Sequence, residues 1–468
     1  MTVSISSPSP VRATRIYLIA LLIGVTVGVV ATAFRLALEG GIAWHSWVVS
    51  TLSAGSGMPA WLVSVPLSMA LFGLAAWLVY RWAPDAGGSG IPEVGAALQG
   101  ARTAPYCARL LPVKFIGGVL ALGAGGVLGR EGPTVHIGAA LGQWLGERGR
   151  LSLPELKIAL ALGAGTGLAA AFNAPLAGVL FVFEELSETC ERSLELLYGL
   201  LLACGIGVLV ENALLGSGPL LPLPQYPQAP LPELLLFVLL GALLGLLGTV
   251  FNTALLNILD LAEAWRRRFG LLSVPLLVGG GLGLLLVVWP DVVGDGESLL
   301  RSLAMQPGQW PLALLMALMT VRTVTLLLSY GAGTPGGLFM PLLALGAVAG
   351  LVFAALLQRM GLTPATLPGV FAVAGMAALL VASLRAPLTA LLLVTELTGN
   401  YDLMPALLAA CVPALLVAWA LGGQPLYRQL LARSLNRVDL RPHGPGLREY
   451  WRLGPLQRRR WLLERARH

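Results

Sequence analysis

Long apolar runs follow one another along the chain, separated by short polar or glycine- and proline-rich breaks. They cover residues 16–33, 61–80, 110–128, 159–183, 194–215 and 234–261, then 271–289, 312–328, 338–357, 370–384, 387–393 and 405–421. A bilayer core about 30 Å thick takes roughly twenty helical residues. The longer runs therefore read as spanning helices, and the chain as an all-α polytopic membrane protein. Several later runs are too short to span. Short, Gly- or Pro-interrupted segments at corresponding places in two halves point to broken helices that meet near the midplane and form a binding site there.

The polar punctuation orients the chain. Arg12 and Arg15 precede the first run, and Trp265-Arg266-Arg267-Arg268 closes the run at 234–261. Basic residues beside membrane helices mark the cytoplasmic side. Ala31-Thr32-Ala33 resembles a signal-peptidase site, but the run is long and membrane segments follow, so a first helix with a cytoplasmic N-terminus is the reading adopted. Residues 216–233 hold six prolines and a single charge, Glu233, and suit an extracytoplasmic linker. The expected division is a first membrane repeat over 1–215, the linker 216–233, a second repeat over 234–436 and a basic cytoplasmic tail over 437–468.

Composition agrees. Of 468 residues, 56% are hydrophobic and 11% charged, with mean hydropathy +0.80, well above soluble proteins. Net charge is +7, but nine arginines after Asn436 face only Asp439, Glu449 and Glu464, so the tail alone carries +6. No nucleic-acid module accompanies those arginines, and a positive cytoplasmic end is the simpler account. The stretch at 451–467 can be read as a surface helix. Cys107, Cys190, Cys204 and Cys411 lack ligand spacing and read as packing residues. No HExxH, GxSxG or P-loop occurs, which argues against an enzyme; no metal or cofactor is expected.

One stretch organises the rest. Arg130 and Glu131 stand inside an otherwise apolar and glycine-rich segment, in Gly129-Arg130-Glu131-Gly132-Pro133. An ionisable residue at membrane depth is expensive and is a functional candidate by default. Pro133 suits the first turn of a helix, whose positive end would face something negative. An ion pair between Glu131 and Arg130 is the alternative, although adjacent helical residues project differently. The segment has an echo 208 residues on: Gly123-Ala124-Gly125 matches Gly331-Ala332-Gly333, Gly129 matches Gly337, Pro133 matches Pro341, and Glu131 falls opposite Phe339. A second echo, offset by 212, sets residues 173–185 against 385–397, with Glu184 opposite Glu396.

The elements GSGIPE (88–93), GREGP (129–133), GGLFMP (336–341) and PLYR (425–428), with LPVKF (111–115), FNAPLAG (172–178) and RAPLT (385–389), together resemble the CLC family of chloride channels and proton/chloride antiporters. The resemblance covers roughly residues 15–436. It implies a homodimer, each subunit with its own anion path and two inverted-topology repeats, and chloride and protons as the transported ions. Ser89 and Tyr427 would contact a central chloride from two sides, with Gly90, Ile91, Leu338 and Phe339 contributing backbone around it. Taken alone, Ser89 is equally an N-cap, Tyr427 an interface anchor and Phe339 core. Glu131 resembles the gating glutamate, which competes with the anion when charged and swings out when protonated. Glu185 matches the inner proton-transfer glutamate, with Glu184 supporting it; taken alone, the two acids are a solvated helix end.

An acid at 185 separates proton-coupled members from many passive channels, so antiport is the expectation and a passive chloride channel on the same fold the alternative. Nitrate-preferring members carry proline where Ser89 stands, and fluoride exporters lack the serine and tyrosine pattern. Related bacterial members often have an acid where this chain has Gly95, which bears on coupling tightness. Lys114 matches the LPVKF lysine but has no role on sequence grounds.

Overall fold

Backbone polar groups in lipid must be satisfied within the chain, and helices do this one segment at a time. The computed structural model describes residues 10–101, 107–186, 193–305, 310–362 and 366–439. Among these, the helices are α1 (Pro10–Ser56), α2 (Ala60–Trp82), α3 (Ile91–Leu98), α4 (Cys107–Gly123), α5 (Glu131–Arg148), α6 (Leu153–Phe172), α7 (Pro175–Phe181), α8 (Leu194–Leu215) and α9 (Leu234–Phe269). They continue with α10 (Ser273–Val288), α11 (Glu297–Met305), α12 (Leu312–Gly331), α13 (Phe339–Arg359), α14 (Pro368–Leu384), α15 (Pro387–Thr398), α16 (Met404–Ala420) and α17 (Leu426–Asp439). Eight of the described helices are long and apolar enough to cross a membrane. Cys190 and the stretch at 451–467 lie outside the described residues.

Three sequence readings are corrected. The first run does not stop near residue 33: α1 continues unbroken to Ser56, and Ala31-Thr32-Ala33 sits in its interior. Its second half carries polar side chains that find partners elsewhere. Arg35 pairs with Glu39 and with Glu211 of α8, and His45 hydrogen-bonds Ser68 of α2. Second, the run at 159–183 is two helices. Asn173 adopts the left-handed conformation, φ 54°, and ends α6; Pro175 then starts α7. A residue before proline avoids helical backbone, which fixes the break at Asn-Ala-Pro. Third, helices α11 and α17 form where the chain has no apolar run.

The core is built on glycine. A Cβ on Gly138 would lie 2.2 Å from the Gly163 carbonyl oxygen, and one on Gly142 2.2 Å from that of Ala159, so α5 and α6 pack backbone to backbone. The same contact recurs between α13 and α14: Gly346 against the Gly375 oxygen at 2.3 Å and Gly350 against that of Phe371 at 2.0 Å. Small residues at such crossings let dispersion replace the hydrophobic drive that lipid does not supply.

The stretches matched by the two echoes also touch each other, the first at equivalent residues and the second reciprocally. Gly129 and Gly337 exchange backbone hydrogen bonds of 2.8 and 2.7 Å, and Glu131 meets Phe339. The Glu184 carboxylate accepts from the N–H groups of Leu388 (3.0 Å) and Thr389 (2.6 Å), capping α15. Glu396 returns the arrangement, accepting from Leu176 (3.1 Å) and Ala177 (2.8 Å) to cap α7. Arg385, φ 66°, ends α14 just as Asn173 ends α6. Equivalent positions meet only near a two-fold axis running between the halves.

Candidate anion site

Glu131 opens α5 and is fully buried. Its Oε1 accepts from the Phe339 N–H at 2.6 Å, at the first turn of α13, while Oε2 has no hydrogen-bond partner. The carboxylate thus occupies the positive end of a helix 208 residues away, where backbone donors and the macrodipole favour an anion. The pocket is closed to larger neighbours. A Cβ on Gly129 would come within 2.0 Å of Oε2, and one on Gly337 within 2.2 Å of Oε1. Both glycines are required for the carboxylate to lie there.

Arg130 turns the other way. Its Nη2 pairs with Glu297 of α11 at 3.2 Å and its Nε donates to the Ala171 carbonyl at 3.2 Å. The adjacent charges therefore form no ion pair with each other, and Glu131 is left to backbone donors.

Ser89 and Tyr427 converge on the same region from α3 and α17. Ser89 is buried, and Gly132 of α5 lies against its backbone, a Cβ there falling 2.9 Å from the Ser89 carbonyl oxygen. The Tyr427 ring lies nearly parallel to that of Phe339, centroids 6.1 Å apart. Its buried hydroxyl makes no hydrogen bond among the described residues. Buried hydroxyls are almost always hydrogen-bonded, so one aimed into this pocket is ready for a ligand. Gly90 caps α3 with φ 87°, and the His136 ring fills the space where a Cβ would stand, at 2.2 Å. Ile91 and Leu338 are buried at the starts of α3 and α13. Residues 89, 90, 91, 131, 338, 339 and 427 are thus brought to one place, around hydroxyls and helix N-termini with no full positive charge among them.

Glu185 stands in a π-helical turn, Val182–Leu186, that follows α7. Such turns insert one extra residue and re-aim side chains. Glu184, expected to support Glu185, has both oxygens committed to α15; Oε2 also accepts from the Thr389 hydroxyl at 2.7 Å.

Two contributors escaped the sequence reading. Lys114 of α4 is fully buried and donates to the carbonyls of Ala86 (3.0 Å) and Gly88 (2.7 Å), holding the loop that presents Ser89. Its signal was a lone lysine in an apolar run. Tyr330 of α12 lies against the same loop, its hydroxyl 3.3 Å from where a Cβ on Gly88 would stand. A polar cavity of about 170 Å³, lined by Ser89, Glu93, Arg266, Tyr330 and Arg433 among others, leads to Ser89 from one side. Replacing Lys114 by Met is expected to leave two carbonyls without a donor, at about 1–3 kcal/mol each. Chloride titrations of the purified variant should show at least about tenfold weaker binding, with a lower melting temperature.

Fold and site together define a polytopic helical membrane protein in which a buried carboxylate sits on the N-terminal end of another helix. The sequence profile of the family described as voltage gated chloride channel matches residues 69–419. Over 432 residues the chain is 41% identical to an H(+)/Cl(-) exchange transporter ClcA of Vibrio parahaemolyticus, covering 91% of each chain. It is 38% identical over 431 residues to the protein of that name from Yersinia pseudotuberculosis, covering 90% of this chain and 89% of that one. A crystal structure of a slow cyanobacterial Cl-/H+ antiporter superposes with TM-score 0.85 at 33% identity, covering 92% of this chain and all of the other. The chain belongs to the voltage-gated chloride channel (CLC) family, with two inverted-topology repeats and broken helices meeting at the midplane.

Proposed function

We propose that this protein exchanges chloride for protons across a bacterial inner membrane, moving the two ions in opposite directions. The observation that carries the reading is the Glu131 carboxylate seated on the N–H of Phe339, whose ring packs on Tyr427, with Ser89 against Gly132, the residue after Glu131. Charged, it is held where an anion would bind. Protonated, it loses the attraction of the helix end and gives way to chloride. The proton/chloride exchange for which these relatives are named supports this assignment over a passive channel and over an enzyme.

The central chloride takes Ser89, Gly90, Ile91, Leu338, Phe339 and Tyr427; Glu131 is gate and outer proton carrier, and Glu185 the inner one. Residues 1–215 and 234–436 form the two repeats, joined on the outer side by 216–233, with both termini cytoplasmic and 437–468 as the basic tail. Two copies pair in the membrane, each with its own pathway.

The direct test is reconstitution in liposomes with a chloride gradient at equal pH. Exchange should drive protons uphill against the chloride flow. A potential that settles at the chloride Nernst value whatever the pH gradient would leave a passive channel instead. Ser89→Pro removes a hydroxyl from the anion's surroundings and is expected to shift preference toward nitrate by several-fold in competition flux assays, an effect on the order of 1 kcal/mol.

A further inference from the structure

Two cavities share a wall at Gly331. One is the polar cavity below Ser89. The other is an apolar groove of about 300 Å³ between α9, α10 and α12, whose lining includes Leu261, Trp265, Val278, Leu285 and Leu328. Along α10 the lining runs from Val274 to Leu285, a rise of roughly 17 Å. A narrow apolar trough of that length suits a hydrocarbon tail better than a compact solute. Gly281 forms part of it, and a Cβ there meets no atom within 4 Å.

One end of the groove carries charge. α9 finishes in Trp265-Arg266-Arg267-Arg268-Phe269, with the Trp265 and Phe269 rings 4.5 Å apart. Arg267 is held by Glu263 at 2.6 Å, and Arg266 donates to the Gly331 carbonyl at 2.9 Å. Arg268 is exposed, lies over the Phe269 ring at 5.3 Å and makes no ion pair among the described residues. An apolar slot lined by a Trp, with an exposed guanidinium about one helical turn beyond it on α9, has the chemistry of an interfacial lipid: tail inside, phosphate at the rim.

We propose that this groove holds one acyl chain of an anionic phospholipid, with the lipid phosphate at Arg268. The Gly331 carbonyl and Arg266 then separate the tail from the polar cavity, so an occupied groove braces the wall beside the anion's approach to Ser89.

Phosphatidylglycerol is the probe, with phosphatidylcholine as the neutral control. Native mass spectrometry of the purified protein should show preferential retention of phosphatidylglycerol. Arg268→Gln should cut that retention about fivefold, the worth of one interfacial cation. Gly281→Leu, which fills the slot and favours the helix, should cut it as far. Equal retention of the two lipids by the wild type, or unchanged retention in Arg268→Gln, overturns the site, and the latter decides even where Gly281→Leu fails to fold. Wild-type chloride flux should also differ between vesicles of the two lipids; identical fluxes overturn the brace. The binding measurement needs no transport, so its failure is distinct from failure of the exchange reading.

Discussion

Glu131→Gln should abolish proton movement while chloride flux continues. Glutamine has nearly the same shape, and its carbonyl can still accept from the Phe339 N–H, so the tight fit against Gly129 and Gly337 is kept. What disappears is the charge and the titration. A charge-assisted hydrogen bond is about twice as strong as a neutral one, so the neutral side chain competes poorly with chloride for the end of α13. It also carries no proton between the two sides. Paired chloride- and pH-electrode recordings from liposomes should show proton flux at background and chloride efflux of the same order as wild type or faster. Uphill proton transport that persists in this variant would remove Glu131 from its role. Loss of both fluxes in a well-folded sample would make it structural.

Much of this site was legible because membrane burial makes charge conspicuous. Arg130 and Glu131 interrupt an apolar segment, and glycines on both sides announce close backbone approach. The echo at 208 went further than anticipated, since residues paired by it, Glu131 with Phe339 and Gly129 with Gly337, are in contact. Other features left little trace. Hydropathy dips after residue 33 because Arg35, Glu39 and His45 are polar, yet α1 continues, its polar groups satisfied by Glu211 and Ser68 far along the chain. The apolar residues on both sides of Asn173 concealed a break that only the Ala-Pro pair betrays. The partner of Arg130, Glu297, lies in a helix too short and too polar for the apolar pattern to register. Local composition reports burial well and reports long-range pairing only where two stretches repeat.

Glu184 and Glu185 provide the sharpest separation of roles. Adjacent carboxylates look interchangeable in sequence, but the π-helical turn sends them to different work. Glu184 receives two N–H groups and a hydroxyl at the start of α15. Protonating it would weaken three hydrogen bonds and leave α15 uncapped, so it is a poor proton carrier. The reciprocal Glu396 cap on α7 makes the same point, because Glu396 holds an equivalent place without a second acid beside it. Glu185, beside it in the turn, is the acid the family resemblance assigns to proton transfer, and the bonds to Leu388 and Thr389 belong to Glu184. Glu185→Gln, which keeps the side chain's shape and removes its titration, is expected to bring proton flux to background while chloride flux continues. Glu184→Ala is expected to do the reverse: it removes charge-assisted bonds worth about 1.5–3 kcal/mol each, lowering the melting temperature while exchange, where the protein remains folded, keeps its chloride-to-proton ratio. The flux ratio should change in Glu185→Gln and hold in Glu184→Ala. Were Glu184→Ala to uncouple the ions at unchanged stability, proton transfer would have to be reassigned to the capping acid, and the symmetry between Glu184 and Glu396 would cease to explain why only one half of the molecule carries the second carboxylate.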